Sequence, residues 1–98
     1  MCGATAGGVS LEGIDVSKQT VIQGVVQRDD APLAGAYVRL LDSTGEFTAE
    51  VPTSTTGQFR FFAAPGTWTV RTLAPGAQPV DRSVVAALGV SEIDVVVN

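Results

Sequence analysis

The feature that constrains this chain most is its punctuation. From residue 20 onward, short runs rich in Val, Thr and aromatic residues alternate with segments that each carry Gly or Pro. The runs are Thr20–Arg28, Ala36–Leu41, Glu46–Val51, Gln58–Phe62, Thr67–Leu73, Val80–Ala86 and Glu92–Val97. Gly and Pro supply the φ values that tight turns require. A turn signal every ~8–12 residues is the spacing of a sandwich or barrel. Val and Thr are β-branched and suit a pleated strand better than a helix. Apolar spacing of helical period is not sustained beyond about two turns, whereas period-two alternation recurs, as in Trp68, Val70 and Thr72 against Thr67, Thr69 and Arg71. These patterns predict an all-β fold, an antiparallel sandwich of about seven strands.

Alternation also assigns faces. The expected core is Val21, Val25, Val38, Leu40, Phe47, Phe59, Phe61, Trp68, Val70, Val84, Ile93 and Val95. Arg39, Arg60, Arg71 and Arg82 alternate with these, point to solvent and pair across strands with Glu46, Glu50 or Asp81. At 98 residues the chain makes one domain, since half that length is near the lower limit for a self-sufficient core. The division expected is an arm over residues 1–18 and a sandwich over residues 19–98. Residues 1–9 are small and Gly-rich and read as a mobile arm. Residues 10–20 are polar with isolated Leu11, Ile14 and Val16, and either lie across the domain or begin an edge strand.

The titratable inventory narrows the chemistry. There is no histidine, which removes the usual general base and the commonest metal ligand. Net charge is −4 with six Lys and Arg in all, so neither nucleic acid nor an anionic membrane is an expected partner. Asp29-Asp30 with Asp42 or Glu46 offers oxygen ligands for Ca²⁺, but the spacing is unlike that of an EF-hand and Asp is an ordinary turn residue. No metal and no cofactor are expected. No Ser or Thr has a base to activate it, so the chain is read as a non-enzyme. A single Cys2 cannot form an internal disulfide, and Met1 to Gly8 lack a basic stretch followed by an apolar one, so the reading is a cytoplasmic protein without a membrane span. In Phe59-Arg60-Phe61-Phe62, alternation places Phe59 and Phe61 on one face and Phe62 on the other beside Arg60. An exposed aromatic next to Arg is typical of interface anchors, so Phe62 and Arg60 are the interface candidates.

The stretch from Gly24 to Leu40, with small residues before Gly35-Ala36-Tyr37-Val38-Arg39-Leu40, resembles the opening of carboxypeptidase-regulatory-domain-like sandwiches of transthyretin (prealbumin) type. Thr56-Gly57-Gln58-Phe59-Arg60-Phe61 and Ala64-Pro65-Gly66-Thr67-Trp68-Thr69-Val70 are similar to later strands of that superfamily. A closer resemblance joins Val38 to Ser43, Glu46 to Val51 and Gly57 to Thr69, together with the Met1-Cys2 start. These look like a small actinobacterial family associated with sulfur metabolism through its proximity to a thiosulfate sulfurtransferase (rhodanese), its domain otherwise of unknown function. The resemblance implies an accessory or protein-interaction domain whose partner is a rhodanese-type sulfurtransferase. Hydroxyisourate hydrolases of transthyretin type use histidines and a terminal Tyr-Arg-Gly-Ser. This chain has neither and ends Val95-Val96-Val97-Asn98, so that activity is not expected. Adhesin relatives form a Lys–Asn isopeptide, for which Lys18 and Asn98 stand at corresponding chain positions, although a solvated lysine and a frayed end are the expectation.

Two other functions remain open. With Met1 removed, the ammonium of Cys2 lowers its thiol pKa by charge attraction, and Cys2 becomes a candidate acceptor of sulfane sulfur, making the chain a persulfide carrier. A carbohydrate- or peptide-binding module is the third reading. Val- and Thr-rich edge strands also suit a homodimer.

Overall fold

The computed structural model describes residue 15 and residues 17–98. Nine strands follow in order: β1 (Thr20–Arg28), β2 (Ala31–Pro32), β3 (Tyr37–Leu41), β4 (Phe47–Pro52), β5 (Gln58–Phe62), β6 (Gly66–Leu73), β7 (Val80–Ala86), β8 (Gly89–Glu92) and β9 (Val95–Val97). No helix occurs among the described residues. The strands form two sheets. One is antiparallel with order β4-β3-β6-β7. The other is built around β1, which pairs with β5 and β2 on one side and with β8 and β9 on the other.

The expected runs all appear as strands, with two differences. The run expected over Glu92–Val97 shortens to β9 (Val95–Val97), and both β8 (Gly89–Glu92), which falls almost wholly in the Gly-containing segment expected to turn there, and the two-residue β2 are additions. The sandwich is also not purely antiparallel, since β8 and β9 run parallel to β1. Parallel pairing of the last strands with the first is a long-range choice that alternation does not encode.

β2 follows β1 through a two-residue turn, Asp29-Asp30, with φ of 53° and 64° at the two positions. Positive φ at both central residues is the geometry whose twist matches a tight hairpin, and Asp tolerates it better than most non-glycine residues.

The space between the sheets is filled by Ile22, Val26, Val38, Leu40, Phe59, Phe61, Val70, Ile93, Val95 and Val97, all buried. Phe59 and Phe61 lie with ring centroids 6.2 Å apart and tilted, within the range of favourable aromatic pairs. The expected core is corrected at several positions. Val21 and Val25 are buried, but Ile22 and Val26 take their place in the inter-sheet cluster. Phe47 is 61% exposed, and Trp68 and Val84 are only partly buried at the edge of the cluster. The shift on β1 is a one-residue change of face, which period-two patterning cannot resolve when both faces carry Val and Ile.

Gly24 explains how the C-terminal strands pass β1. A Cβ at this position would lie 1.8 Å from the Ile93 carbonyl oxygen. Ile93 N–H donates to Gln23 O at 2.9 Å, and Val25 N–H donates to the Asp94 carboxylate at 3.1 Å. The chain therefore kinks inward between β8 and β9, places Ile93 in the core and satisfies the β1 donor that the kink leaves open.

Candidate functional site

The outer surface of the β1 sheet is organised by the register of β1 with β5. Val21 stands opposite Phe62, Gln23 opposite Arg60 and Val25 opposite Gln58. Phe62 is 61% exposed while Phe59 and Phe61 are buried, as strand alternation requires. Arg60 is half-buried and its Nε donates to Gln23 Oε1 at 3.0 Å, which fixes the guanidinium beside Phe62. Gln23 is 1% exposed, so this is a charge-assisted bond to a buried amide and holds Arg60 more firmly than a surface ion pair would. The structure thus brings Phe62 and Arg60 together on one strand. Gln23, which anchors them, escaped the sequence reading because a lone Gln in an apolar run carries no local signal.

Between the edge strands β4 and β5 lies a cleft of about 330 Å³, lined by Val51, Pro52, Thr53 and Ser54 on one side and by Gln58, Phe59 and Arg60 on the other. Its surface is mostly apolar, and Thr53 in its lining is spent on structure. Thr53 Oγ1 accepts from Ala36 N–H at 3.1 Å and donates to Leu33 O at 2.8 Å.

The outer face of the β4-β3-β6-β7 sheet carries a row of charges in cross-strand register, Glu50, Arg39, Arg71 and Asp81. Arg39 Nε meets Glu50 Oε1 at 2.6 Å, and Arg71 grips Asp81 with two bonds of 2.8 and 3.0 Å. These are two of the pairings the sequence anticipates. Hydrogen bonding from Arg71 holds the Asp81 carboxyl below the ordinary aspartate range, and the same contact raises Arg71. Asp42 is also lowered, first by the Thr44 hydroxyl at 2.6 Å and then by the Glu46 N–H. Its role is to close the β3–β4 turn. Glu46 contributes its backbone there, donating N–H to Asp42 Oδ1 at 3.0 Å. Arg82 departs from expectation. It reaches back across the open side of the sandwich, and Nη1 donates to Asp94 O at 2.8 Å.

Both edges of this sheet carry features that oppose pairing with another strand. β4 has an irregular register at Leu40/Leu41, an exposed Glu50 and a terminal Pro52. β7 is tied across the sandwich by Arg82. Bulges, Pro and charges turned inward are the usual protections of an edge.

Lys18 and Asn98 are not brought together. Lys18 sits exposed in the turn before β1, where its N–H donates to Asp15 O, whereas Val97 is in register with Arg28 at the far end of β1. At ~3.3 Å per residue, nine residues of strand put about 30 Å between these ends. Asn98 O instead accepts from Arg28 Nη2 at 2.8 Å, and Pro75 O accepts from the same nitrogen. Cys2 lies outside the described residues. Among the described residues, no group of three or more His, Cys, Asp or Glu could hold a metal ion, and no helix is long and apolar enough to cross a membrane.

A family model described as "Protein of unknown function (DUF1416)" matches residues 2–97. Two uncharacterized proteins of Mycobacterium tuberculosis are each 47% identical over 97 residues, covering 97% of this chain and 97% of theirs. An uncharacterized protein of Mycolicibacterium smegmatis is 51% identical over 84 residues, covering 85% of this chain and 93% of its own. Among solved structures, the major pilin subunit of Bacillus cereus is similar with a TM-score of 0.70 at 16% identity, over 82% of this chain and 29% of that one. The dioxygenase domain of a dioxygenase–carbohydrate-binding protein fusion from a Streptomyces matches with a TM-score of 0.63 at 14% identity, over 88% and 84%. At such identities these likenesses show the β-rich fold alone.

Proposed function

The chain belongs to this family of unknown function, and from that premise we propose that it is a non-catalytic accessory domain that docks on another protein through Phe62 and Arg60. The observation that carries the reading is Phe62 itself. It is an aromatic ring 61% exposed on a rigid strand, beside a guanidinium already fixed to a buried amide. A preorganised aromatic–Arg pair loses little conformational freedom on association and is the composition of an interface anchor. The resemblance to a sulfur-metabolism family makes a rhodanese-type sulfurtransferase in the cytoplasm the partner proposed.

The test is a titration of the purified chain against the rhodanese-type sulfurtransferase of the same organism. Phe62→Ala should weaken binding by about 2 kcal/mol or more, roughly thirtyfold, with the far-UV spectrum unchanged. Equal affinity for Phe62→Ala and wild type removes Phe62 from the interface, and no binding by either removes the partner. Cys2→Ser serves as a third arm. An accessory domain tolerates it, whereas a persulfide carrier loses its acceptor.

A further inference from the structure

Residues 89–98 occupy a place beside β1 that the same segment of another copy fits equally well. β8 and β9 pair in parallel with β1, and the bonds that fasten them run to residues earlier in the chain. Gly89 N–H donates to Gln19 O at 2.8 Å, and Ile93 N–H donates to Gln23 O at 2.9 Å. Asp94 receives Val25 N–H on its carboxylate and Arg82 Nη1 on its carbonyl. Asn98 O accepts from Arg28 Nη2 at 2.8 Å. Ile93, Val95 and Val97 are buried in the inter-sheet core. None of these contacts depends on which copy supplies the segment.

Only the link that delivers it does. Ala87-Leu88 joins β7 in one sheet to β8 in the other, and among the described strands it is the shortest crossing between the sheets. Gly89, with φ of 99°, completes the bend in a region that favours glycine. The bend is flanked by uncovered apolar side chains, since Leu88 is 60% exposed and Val85, just before it on β7, is 72% exposed.

We propose that two copies of this chain exchange residues 89–98, so that β8 and β9 of each pair with β1 of the other about a two-fold axis. The exchanged form keeps every bond named above and the burial of Ile93, Val95 and Val97. Its difference from the closed chain is confined to the link and to the entropy of association. Short links favour exchange, because they must turn sharply only when the segment folds back on its own chain. Once straightened, the two links pass each other at the axis. There Val85 and Leu88 of one copy meet those of the other, removing from water apolar area that the closed chain leaves exposed.

Link length tests this in the full chain, in a Cys2→Ser background. Sedimentation equilibrium at about 1 mM should give twice the chain mass of 10.1 kDa. Inserting Gly-Ser-Gly-Ser between Ala87 and Leu88 supplies flexible slack for closure and should return the single-chain mass with strand content retained. A dimer built on a sheet edge or face would keep its mass in that variant. Gln27→Cys with Val96→Cys, at positions in register across β1 and β9, gives a second reading. Their disulfide joins two chains in the exchanged form and closes within one chain otherwise, as mass under denaturing, non-reducing conditions distinguishes. A single-chain mass without the insertion, a dimer that survives the insertion, or a disulfide confined to single chains overturns the proposal.

Discussion

Substituting Gly24 with alanine isolates the contact on which the C-terminal strands depend. Gly24 does not have a positive φ, so alanine is allowed by the backbone and the cost is steric. Its Cβ would meet Ile93 O at 1.8 Å and Ile93 C at 2.7 Å, where real Cβ atoms keep at least 3.0 Å. The Ile93 carbonyl must therefore retreat by about 1.2 Å or more. That movement pulls Ile93 N–H from Gln23 O and the Asp94 carboxylate from Val25 N–H, bonds of 2.9 and 3.1 Å. Each lost bond is worth ~1 kcal/mol, and a buried group left without a partner adds ~1–3 kcal/mol. Alanine returns about 0.5–1 kcal/mol over glycine within a strand. The net expectation is ~2–4 kcal/mol, a large share of the ~5–15 kcal/mol typical of a domain. Urea denaturation followed by Trp68 fluorescence gives the value, and thermal unfolding should fall by some 10–30 °C at ~4–8 °C per kcal/mol. Asp94→Asn keeps an acceptor for Val25 N–H and should cost far less than Asp94→Ala. A Gly24→Ala protein within about 0.5 kcal/mol of wild type, the usual range of innocuous surface changes, would refute the close passage of Ile93 over β1.

Two threonines in the same interior predict opposite signs for one substitution. Thr72 Oγ1 is fully buried with no hydrogen-bond partner, so Thr72→Val should stabilise by about 1 kcal/mol, whereas Thr53→Val removes two bonds and should cost ~2–3 kcal/mol; denaturant midpoints decide both. Replacing Asp29-Asp30 by Asn-Gly puts the residue pair favoured for this turn at two positive-φ positions and should raise stability by roughly 1 kcal/mol, with no gain in midpoint arguing against that turn. Asp42 and Asp81 are held below the ordinary aspartate range, so the folded chain binds fewer protons than the unfolded one in acid. Their contribution is present above the unfolded aspartate value of about 3.9 and is lost as pH falls through the lower folded values. Thermal midpoints measured across the acid range should therefore fall, and Asp81→Asn should flatten that fall.

Alternation and turn residues sufficed to locate the expected strands, because a strand's period and a turn's φ requirement are local properties of the chain. They sufficed for Phe62 too, since three aromatics around Arg60 leave only one outward ring. The charge pairs Arg39–Glu50 and Arg71–Asp81 were legible for the same reason, as residues on the outward face of neighbouring strands.

What the amino-acid order alone determined is thus an all-β chain, the residues that alternate on each strand, and an outward aromatic beside an arginine. Tertiary structure alone decided which side of β1 meets the core, because Val21, Ile22, Val25 and Val26 offer nearly equal apolar area to either face and only the other sheet breaks the tie. It also decided that β8 and β9 run parallel to β1, that Ile93 crosses at Gly24, and that Lys18 and Asn98 end far apart. Each of these depends on contacts between residues some seventy positions apart, such as Val25 with Asp94. Free energy is gained there only after the whole chain has closed, so no local pattern records it.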